Sequence, residues 1–318
     1  MNESTEFKKI LFCGLESGGK TSILLILDKK FSLLTAVKPT IKAKRTIHKN
    51  TLLGTTIVRW DLGGQKNYRK IYLGEKSKYF TEMQSIFYVI DIQEPKKFEE
   101  ALIFLKDIVN ITSESPPDNF QLLILLHKCD PDIKNKVDIV NNVKYLENEI
   151  SSIIKDIKFT ILKTSIYDEP SLLKAFSDGV FYATHKSKMF QTLLKDYMAK
   201  TYNSSTLLLD QNCFIIASRS TNQAYQEICE SIAPRLTQAL EKLEEWEINT
   251  IDIVTNIEFP EKHSEFQKEG IIFLRKLDMG DTRLYLVALC LNKKVKIKSY
   301  EYLPLLAENL KNLLESFE

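Results

Sequence analysis

Cysteine is scarce in this chain and is not arranged for cross-linking. The 318 residues include five cysteines, and no two of them form a Cys-x-x-Cys pair. An odd number of scattered cysteines provides no disulfide framework and no zinc-finger spacing. It is typical of reduced thiols in the cytosol, so we expect a cytoplasmic protein.

The chain also lacks a strong net charge and a long apolar run. Forty-four Lys and Arg residues face 42 Asp and Glu residues, a formal net charge of +2, so we expect no nucleic-acid partner. No apolar stretch approaches the roughly 20 residues of a membrane span. Asn2 in place of glycine, and an end without a prenylation box, predict no lipid anchor. We therefore expect membrane contact only indirectly, through a partner.

The chain does contain a glycine-rich loop between two apolar runs. Residues 14–21 read GLESGGKT, after ILFC and before a helical pattern, which is the context of a GxxxxGK[ST] phosphate-binding loop. Its N–H groups and the helix N-terminus would bind a polyphosphate. The predicted nucleotide-binding residues here are Gly14, Glu16, Ser17, Gly18, Gly19, Lys20, Thr21 and Ser22. Lys20 would also act in catalysis on the β and γ phosphates, and Thr21 would bind Mg²⁺.

A second motif follows a β-rich run that ends in WDLGGQ. Asp61 would hold Mg²⁺ through a water, and the Gly64 N–H would bond the γ phosphate. Gln65 would orient the attacking water. Upstream, Thr40 lies in a segment that Pro39 keeps out of helix, and we predict that it is the second Mg²⁺ ligand and a catalytic residue.

Two further motifs predict a guanine site. The apolar run 122–126 leads into His127, Lys128 and Asp130, where Asp130 can accept both N–H groups of guanine while Lys128 covers the ring. The run 159–162 leads to Ser165 and Ile166, where a backbone N–H would meet guanine O6. All four motifs follow apolar strands, and ligands of open α/β sheets bind at the carboxyl ends of strands.

Together these motifs resemble those of the Ras-like small GTPases, and within them the Arf and Rag/Gtr branches. WDLGGQ and PTI are similar to both branches, whereas HKCD and TSIYD look specifically like Rag/Gtr. The resemblance implies GTP or GDP and Mg²⁺ as cofactors, together with GTPase-activating and exchange factors as partners. Two positions depart from the general pattern: His127 replaces an asparagine that ties its loop to the phosphate loop, and Glu16 replaces the small glycine of Ras.

The order of elements predicts two domains. Over residues 1–186, strands alternate with helices, so we expect an α/β, doubly wound, mostly parallel sheet of the P-loop small-GTPase type. Residues 187–318 follow the order αββαβββα, similar to the α+β roadblock/longin-like domain of Rag/Gtr proteins. That resemblance implies a homo- or heterodimer with a related GTPase through the C-terminal domain. A monomeric lid that only stabilises the first domain is the alternative.

Three segments carry more specific expectations. The polar, lysine-rich stretch 63–80 is interpreted as a mobile second switch. The phosphate-loop helix is expected to span 20–30 and the last helix 299–317. The lysine run 293–298 could contact acidic lipid or the acidic face of a partner, but it is more typical of the solvated edge of a strand.

The function predicted from the sequence is a GTP-binding molecular switch that hydrolyses GTP slowly with Mg²⁺ and signals by dimerising and recruiting effectors. An Arf-like trafficking GTPase is one alternative. A GTP-locked, non-catalytic assembly protein is the other.

Overall fold

A computed structural model describes residues 6–50, 55–114, 119–155, 157–180, 185–259, 269–279, 282–291 and 293–316. These residues form two compact units, of which the first ends at Val180 and the second contains the residues from 185 onward. Each unit has its own sheet. Among the described residues, no helix combines the length and the apolar character needed to cross a membrane.

The first unit is built on a six-stranded sheet. Its strands are β1 (Glu6–Gly14), β2 (Ala43–Asn50), β3 (Thr55–Leu62), β4 (Met83–Asp91), β5 (Gln121–His127) and β6 (Phe159–Thr164). Their spatial order is β2-β3-β1-β4-β5-β6, and β2 alone runs antiparallel to its neighbour. The interior residues of β4 and β5 are almost all buried, as expected for parallel strands covered on both faces. The predicted α/β, mostly parallel fold is confirmed.

Helices cover both faces of this sheet. They are α1 (Lys20–Leu27), α2 (Lys66–Gly74), α3 (Lys76–Phe80), α4 (Phe98–Glu114), α5 (Val137–Ile153) and α6 (Glu169–Val180). Helices α4 and α5 bury Leu105 and Leu146 against one face. On the other face α6 lies so close to the sheet that a Cβ at Gly179 would be 2.3 Å from Cζ of Phe87. Because helices cover both faces, a ligand site is expected at the edge of the sheet where the parallel strands have their carboxyl ends.

The second unit is an antiparallel sheet between helices. Its elements are α7 (His185–Thr201), β7 (Ser205–Asp210), β8 (Ile215–Ser220), α8 (Gln223–Glu245), β9 (Asp252–Glu258), β10 (Glu269–Met279), β11 (Thr282–Cys290) and α9 (Lys293–Glu315). The strand order is β8-β7-β11-β10-β9, and the element order αββαβββα is the predicted one. Leu274 packs in the cluster with α8, whereas Phe273 contacts Tyr300 of α9, so these helices cover opposite faces.

The last helix begins earlier than expected. It starts at Lys293 rather than Ser299, so the run 293–298 is helical, and the expected strand edge is wrong. Lysines alternating with Val295 and Ile297 imitate the period of a strand. In the structure Val295 and the buried Ser299 lie one helical turn apart, and the Ser299 hydroxyl donates to the Val295 carbonyl over 2.8 Å.

One segment near the predicted site also differs from expectation, and a second gains structural detail. Helix α1 ends at Leu27, and a 3₁₀ helix over Phe31–Ala36 follows it. Within the predicted second switch, the chain forms the short helices α2 and α3. The burial of Tyr72 and Tyr79 against the core explains why this polar stretch contains helices, and its interpretation as a mobile switch stays a prediction.

Candidate nucleotide site

The motifs predicted from the sequence meet at the carboxyl edge of the first sheet. Gly14 ends β1, Asp61 lies near the end of β3, His127 ends β5 and Thr164 ends β6. A cleft of about 330 Å³ opens at this edge. It is lined by Glu16, Ser17, Gly18, Gly19, Lys20, Thr21, Ser22, Val37, Lys38, Pro39, Thr40, Gly64, Gln65 and Lys128.

The glycine-rich loop has the backbone that close approach to an anion requires. Gly14 has a φ of 136°, and a Cβ there would be 2.2 Å from the carbonyl oxygen of Val89. Gly19 has a φ of 93° and immediately precedes α1. Only glycine adopts these conformations readily, so the sequence folds into a tight loop with the α1 N-terminus at the cleft.

Lys20 provides a buried cation at the base of this loop. Its Nζ donates to the carbonyl oxygens of Gly14 at 3.2 Å and Leu15 at 2.6 Å. Burial lowers the pKa of the Lys20 ammonium to about 8, against the opposing attraction of Asp61. A phosphate beside this ammonium would raise that pKa again and hold the proton in place.

The three residues predicted to hold Mg²⁺ lie together. The Thr21 hydroxyl donates to Oδ2 of Asp61 at 2.8 Å, and the Thr40 hydroxyl donates to the same oxygen at 3.1 Å. The two hydroxyl oxygens are 2.9 Å apart. Asp61 is buried, which raises its pKa, and its Oδ1 has no hydrogen-bond partner among the described residues. Hydroxyl and carboxylate oxygens are the hard ligands that Mg²⁺ prefers. The unpaired Oδ1 of Asp61 also fits a site in which a cation or its bound water supplies the missing partner.

Two glycines bring the WDLGGQ segment against the loops that precede it. A Cβ at Gly63 would be 2.4 Å from the carbonyl oxygen of Thr40, and one at Gly64 would be 2.2 Å from the backbone N of Glu16. These positions therefore admit only glycine. Gln65 follows directly, is half-buried and lines the cleft at the start of α2.

Arg69 was not predicted as a functional residue, yet it contacts this segment. Its Nε donates to the carbonyl oxygen of Gly64 at 3.0 Å, and its guanidinium pairs with Glu100 of α4. The guanidinium carbon also lies 5.2 Å from the Phe104 ring centroid. No local sequence signal links residues 69 and 100, because the contact forms only when α2 packs beside α4.

The predicted base-recognition residues meet at the other end of the edge. Asp130 accepts a hydrogen bond from the Ser165 hydroxyl at 2.5 Å and one from Nε2 of Gln93 at 3.1 Å. The same Gln93 amide donates to the carbonyl oxygen of Lys128 at 2.8 Å. Lys128 pairs with Asp91 at 2.5 Å. Gln93 and Asp91 were missed from the sequence, although their place just after the apolar β4 run was a usable signal.

His127 fills the position of the expected asparagine and touches the phosphate loop. A Cβ at Gly19 would be 2.5 Å from Cδ2 of the ring, so the imidazole lies against that glycine. Nδ1 is 3.0 Å from the Thr164 hydroxyl. Burial lowers the pKa of His127 to about 4, which keeps the ring neutral near pH 7.

Some predicted residues lie outside the cleft lining. Asp61 and His127 are buried outside that lining, and Asp130 lies with the predicted base-recognition residues. The Ser165 N–H donates to the hydroxyl of Ser171 in α6 at 3.2 Å. Ile166 follows it and is half-buried, and its role toward guanine stays a prediction.

Several known proteins are similar to this chain. A family model described as the Gtr1/RagA G protein conserved region matches residues 9–271. The GTP-binding protein gtr1 of Schizosaccharomyces pombe is 26% identical over 226 residues, which are 68% of this chain and 70% of that protein. An ADP-ribosylation factor-like protein 3 of Chlamydomonas reinhardtii is 29% identical over 169 residues, 53% of this chain and 80% of that protein.

Among solved structures, the Arl6 (BBS3) small GTPase of Trypanosoma brucei, with bound GppNp, matches with a TM-score of 0.43 and 15% identity. It covers 54% of this chain and 94% of that one. The family match itself spans most of the chain, including all of the motifs described above. The chain therefore belongs to the Gtr1/RagA family of GTP-binding proteins.

Proposed function

We propose that this protein is a Mg²⁺-dependent GTPase switch whose unaided hydrolysis of GTP is slow. The observation that carries the proposal is the convergence of Thr21, Thr40 and Asp61 beside Lys20, at a cleft that Gln65 also lines. These are the groups that phosphoryl transfer needs to position a triphosphate and a water. Membership of the Gtr1/RagA family supports guanosine nucleotides as the ligands.

Each residue has a distinct task in the proposed mechanism. The loop N–H groups and the Lys20 ammonium bind the β and γ phosphates, and Lys20 keeps its proton in the low dielectric of the buried site. Thr21, Thr40 and Asp61 (through a water) would hold Mg²⁺, which when bound neutralises phosphate charge. Gln65 orients the attacking water toward the γ phosphate, and Gly64 allows that segment to approach the loop.

The slow rate follows because no arginine lines the cleft among the described residues. Arg69 is a candidate by residue type, but its guanidinium is held by Gly64 and Glu100. Unaided hydrolysis should therefore lie in the range of about 10⁻⁴ to 10⁻² s⁻¹ typical of switch GTPases without an activator. GTPase-activating and exchange factors would control the protein, and effectors would be recruited by its GTP state.

We further propose that residues 187–318 are the dimerisation domain, paired with a second copy or a related GTPase. Strand β9 is an edge of its sheet, and unpaired edges favour pairing with another chain. Near it the chain exposes Trp246, Ile248, Ile251 and Val254, at 65%, 46%, 48% and 42%. An exposed apolar patch beside an open edge supports a protein interface.

Single-turnover hydrolysis of GTP tests the catalytic proposal. The wild type should hydrolyse bound GTP slowly and only with Mg²⁺, whereas Gln65→Leu should be at least ten-fold slower with an unchanged Kd for GTP. Equal rates for the two proteins would remove Gln65 from the mechanism. A wild type that binds GTP but never hydrolyses it, even with excess Mg²⁺, would favour the non-catalytic assembly protein.

A further inference from the structure

The second unit carries a surface that the nucleotide site does not use. We call it the lysine face, and it comprises Lys200, Tyr202, Lys294, Ile297, Lys298 and Tyr302. Two cation–π contacts connect its parts: Lys298 Nζ lies 4.6 Å from the Tyr202 ring centroid, and Lys200 Nζ lies 5.8 Å from that of Tyr302. Because these pairs join the end of α7 to the exposed side of α9, the face is one continuous surface.

Large apolar groups are exposed between the lysines. Tyr202 is 66% exposed, Ile297 58% and Tyr302 37%. The opposite side of α9 is buried in the core of the unit through Ser299, Leu303 and Leu306. The helix is thus fixed in place, and the exposed side chains of the lysine face remain available to a partner.

Helix stability does not account for Lys294. Helix α9 begins at Lys293 and has no acidic residue in its first turn. Cations near a helix N-terminus are disfavoured by the helix dipole. Lys294 therefore lies where local energetics would place an acidic side chain.

The lysines of this face also lack carboxylate partners among the described residues, since no ion pair forms there to Lys200, Lys294 or Lys298. Other cations of the unit are paired, such as Lys276 with Glu244 at 2.6 Å and Arg275 with Asp252 at 3.0 Å. Glu301 lies on the same exposed stretch and removes one unit of charge, but the three lysines of the face outnumber it.

We infer that the lysine face docks onto the surface of an anionic lipid bilayer. Lysines attract anionic headgroups, and tyrosine and isoleucine side chains suit the boundary between headgroups and acyl chains. Lysine is depleted at the centre of protein interfaces, which favours a lipid surface over an acidic protein. This direct contact departs from the expectation that membrane association would occur only through a partner.

Co-sedimentation of the full chain with vesicles tests the inference. One set of vesicles contains 30% phosphatidylserine in phosphatidylcholine, and the other contains phosphatidylcholine alone. The wild type should bind the first set and not the second, and binding should weaken as salt is raised. The variant Lys200→Ala/Lys294→Ala/Lys298→Ala should bind about 100-fold more weakly, since each lysine near the surface contributes about a five-fold factor.

Three further variants make the test specific. Lys106→Ala/Lys144→Ala/Lys188→Ala removes the same charge from other exposed positions and should bind like the wild type. Exchange of the three face lysines for arginine should retain binding, and Glu301→Lys should tighten it about five-fold, which misfolding cannot imitate. The inference would be overturned if the wild type did not bind, or if it bound both vesicle sets equally. It would also be overturned if the two triple-alanine variants lost the same amount of binding.

Discussion

His127 lies where the general small-GTPase pattern has asparagine, and its contacts suggest how it serves the same position. The ring is buried against Gly19 of the phosphate loop and is within hydrogen-bond distance of Thr164 on the neighbouring strand. It therefore joins the base-recognition loop to the phosphate loop by packing rather than by an amide. A charged imidazole could not occupy this buried position without cost.

That cost gives a pH dependence specific to His127. Its pKa is about 4 in the folded protein and near 6.5 when unfolded. The unfolded state takes up the proton first as pH falls, so the stabilisation present above pH 6.5 is lost between pH 6.5 and about 4. The loss should total roughly 3 kcal/mol. The side chain introduced by His127→Asn does not titrate in this range. The amount by which the free energy of unfolding of the variant falls below that of the wild type should therefore decrease from pH 6.5 to about pH 4.

Intrinsic fluorescence can measure this in the first unit alone. The chain has two tryptophans, Trp60 in the first unit and Trp246 in the second. In a Trp246→Phe background, Trp60 reports only the first unit, which avoids the problem of two units unfolding separately. The free energy of unfolding should be measured against pH with His127 intact and with His127→Asn. A difference between the two that stays constant from pH 7 to pH 4.5 would contradict the assigned titration.

Gln93 should matter for guanine affinity although it is not part of any recognised motif. Its amide donates hydrogen bonds to both Asp130 and the Lys128 carbonyl. The Asp130 carboxylate can still accept hydrogen bonds from guanine, because each of its oxygens accepts more than one. Gln93→Ala should weaken GDP binding about five-fold, as expected for one partly exposed hydrogen bond to a charged group. Gln93→Glu should weaken it more, because it places a like charge beside Asp130. Titration calorimetry that gives three equal affinities would exclude this role.

Among the helices and strands, the contact between α2 and α4 should control the position of Gly64 and Gln65. Arg69 bonds the Gly64 carbonyl and pairs with Glu100, so the start of α2 is held from outside the cleft. Glu100→Gln should lower the single-turnover rate of GTP hydrolysis about five-fold while changing the Kd for GTP less than two-fold. Glu99→Gln removes the same charge from the adjacent exposed position and serves as the matched control. Equal rates for both variants would leave Arg69 with a purely structural role.

The sequence predicted the elements whose burial is uniform. The apolar runs of β4 and β5 have no alternation, because both faces are covered, and this pattern is typical of a parallel strand. The sequence also predicted that the motifs lie at one edge of the sheet, since each follows a strand and parallel strands have their carboxyl ends at the same edge. The contacts of Gln93 and Arg69 could not be predicted in the same way, because they join segments distant in sequence.

Local pattern was misleading where polar and apolar residues alternate. The run 293–298 imitates a strand, but the burial of Ser299 and Leu303 one turn apart requires a helix. The packing partner, which a single sequence does not contain, decides the structure of this run.

Composition alone also did not indicate the helices in the polar segment 63–80. Tyr72 and Tyr79 pack α2 and α3 against the core. The interpretation of this segment as a mobile switch stays a prediction.

At the scale of the whole molecule, the proposed function assigns nucleotide binding to the first unit and assembly to the second. The chain should form a dimer alone or with a related family member, through the surface that includes β9 and Trp246. Ile248→Ser/Val254→Ser should reduce association at least ten-fold without changing GTP affinity. As a control, Val137→Ser changes a residue of the first unit that is 76% exposed. Light scattering that finds monomers at every concentration and with every partner would favour the stabilising lid.

The central claim is that the cleft of the first unit binds guanosine triphosphate through Asp130. Competition against a fluorescent GTP analogue, with Mg²⁺ present, tests it most directly. GTP should displace the analogue at least 100-fold more effectively than ATP, because the Asp130 carboxylate pairs with donors that adenine lacks, and Asp130→Ala should abolish that difference. Equal displacement by GTP and ATP from the wild-type protein would contradict the account.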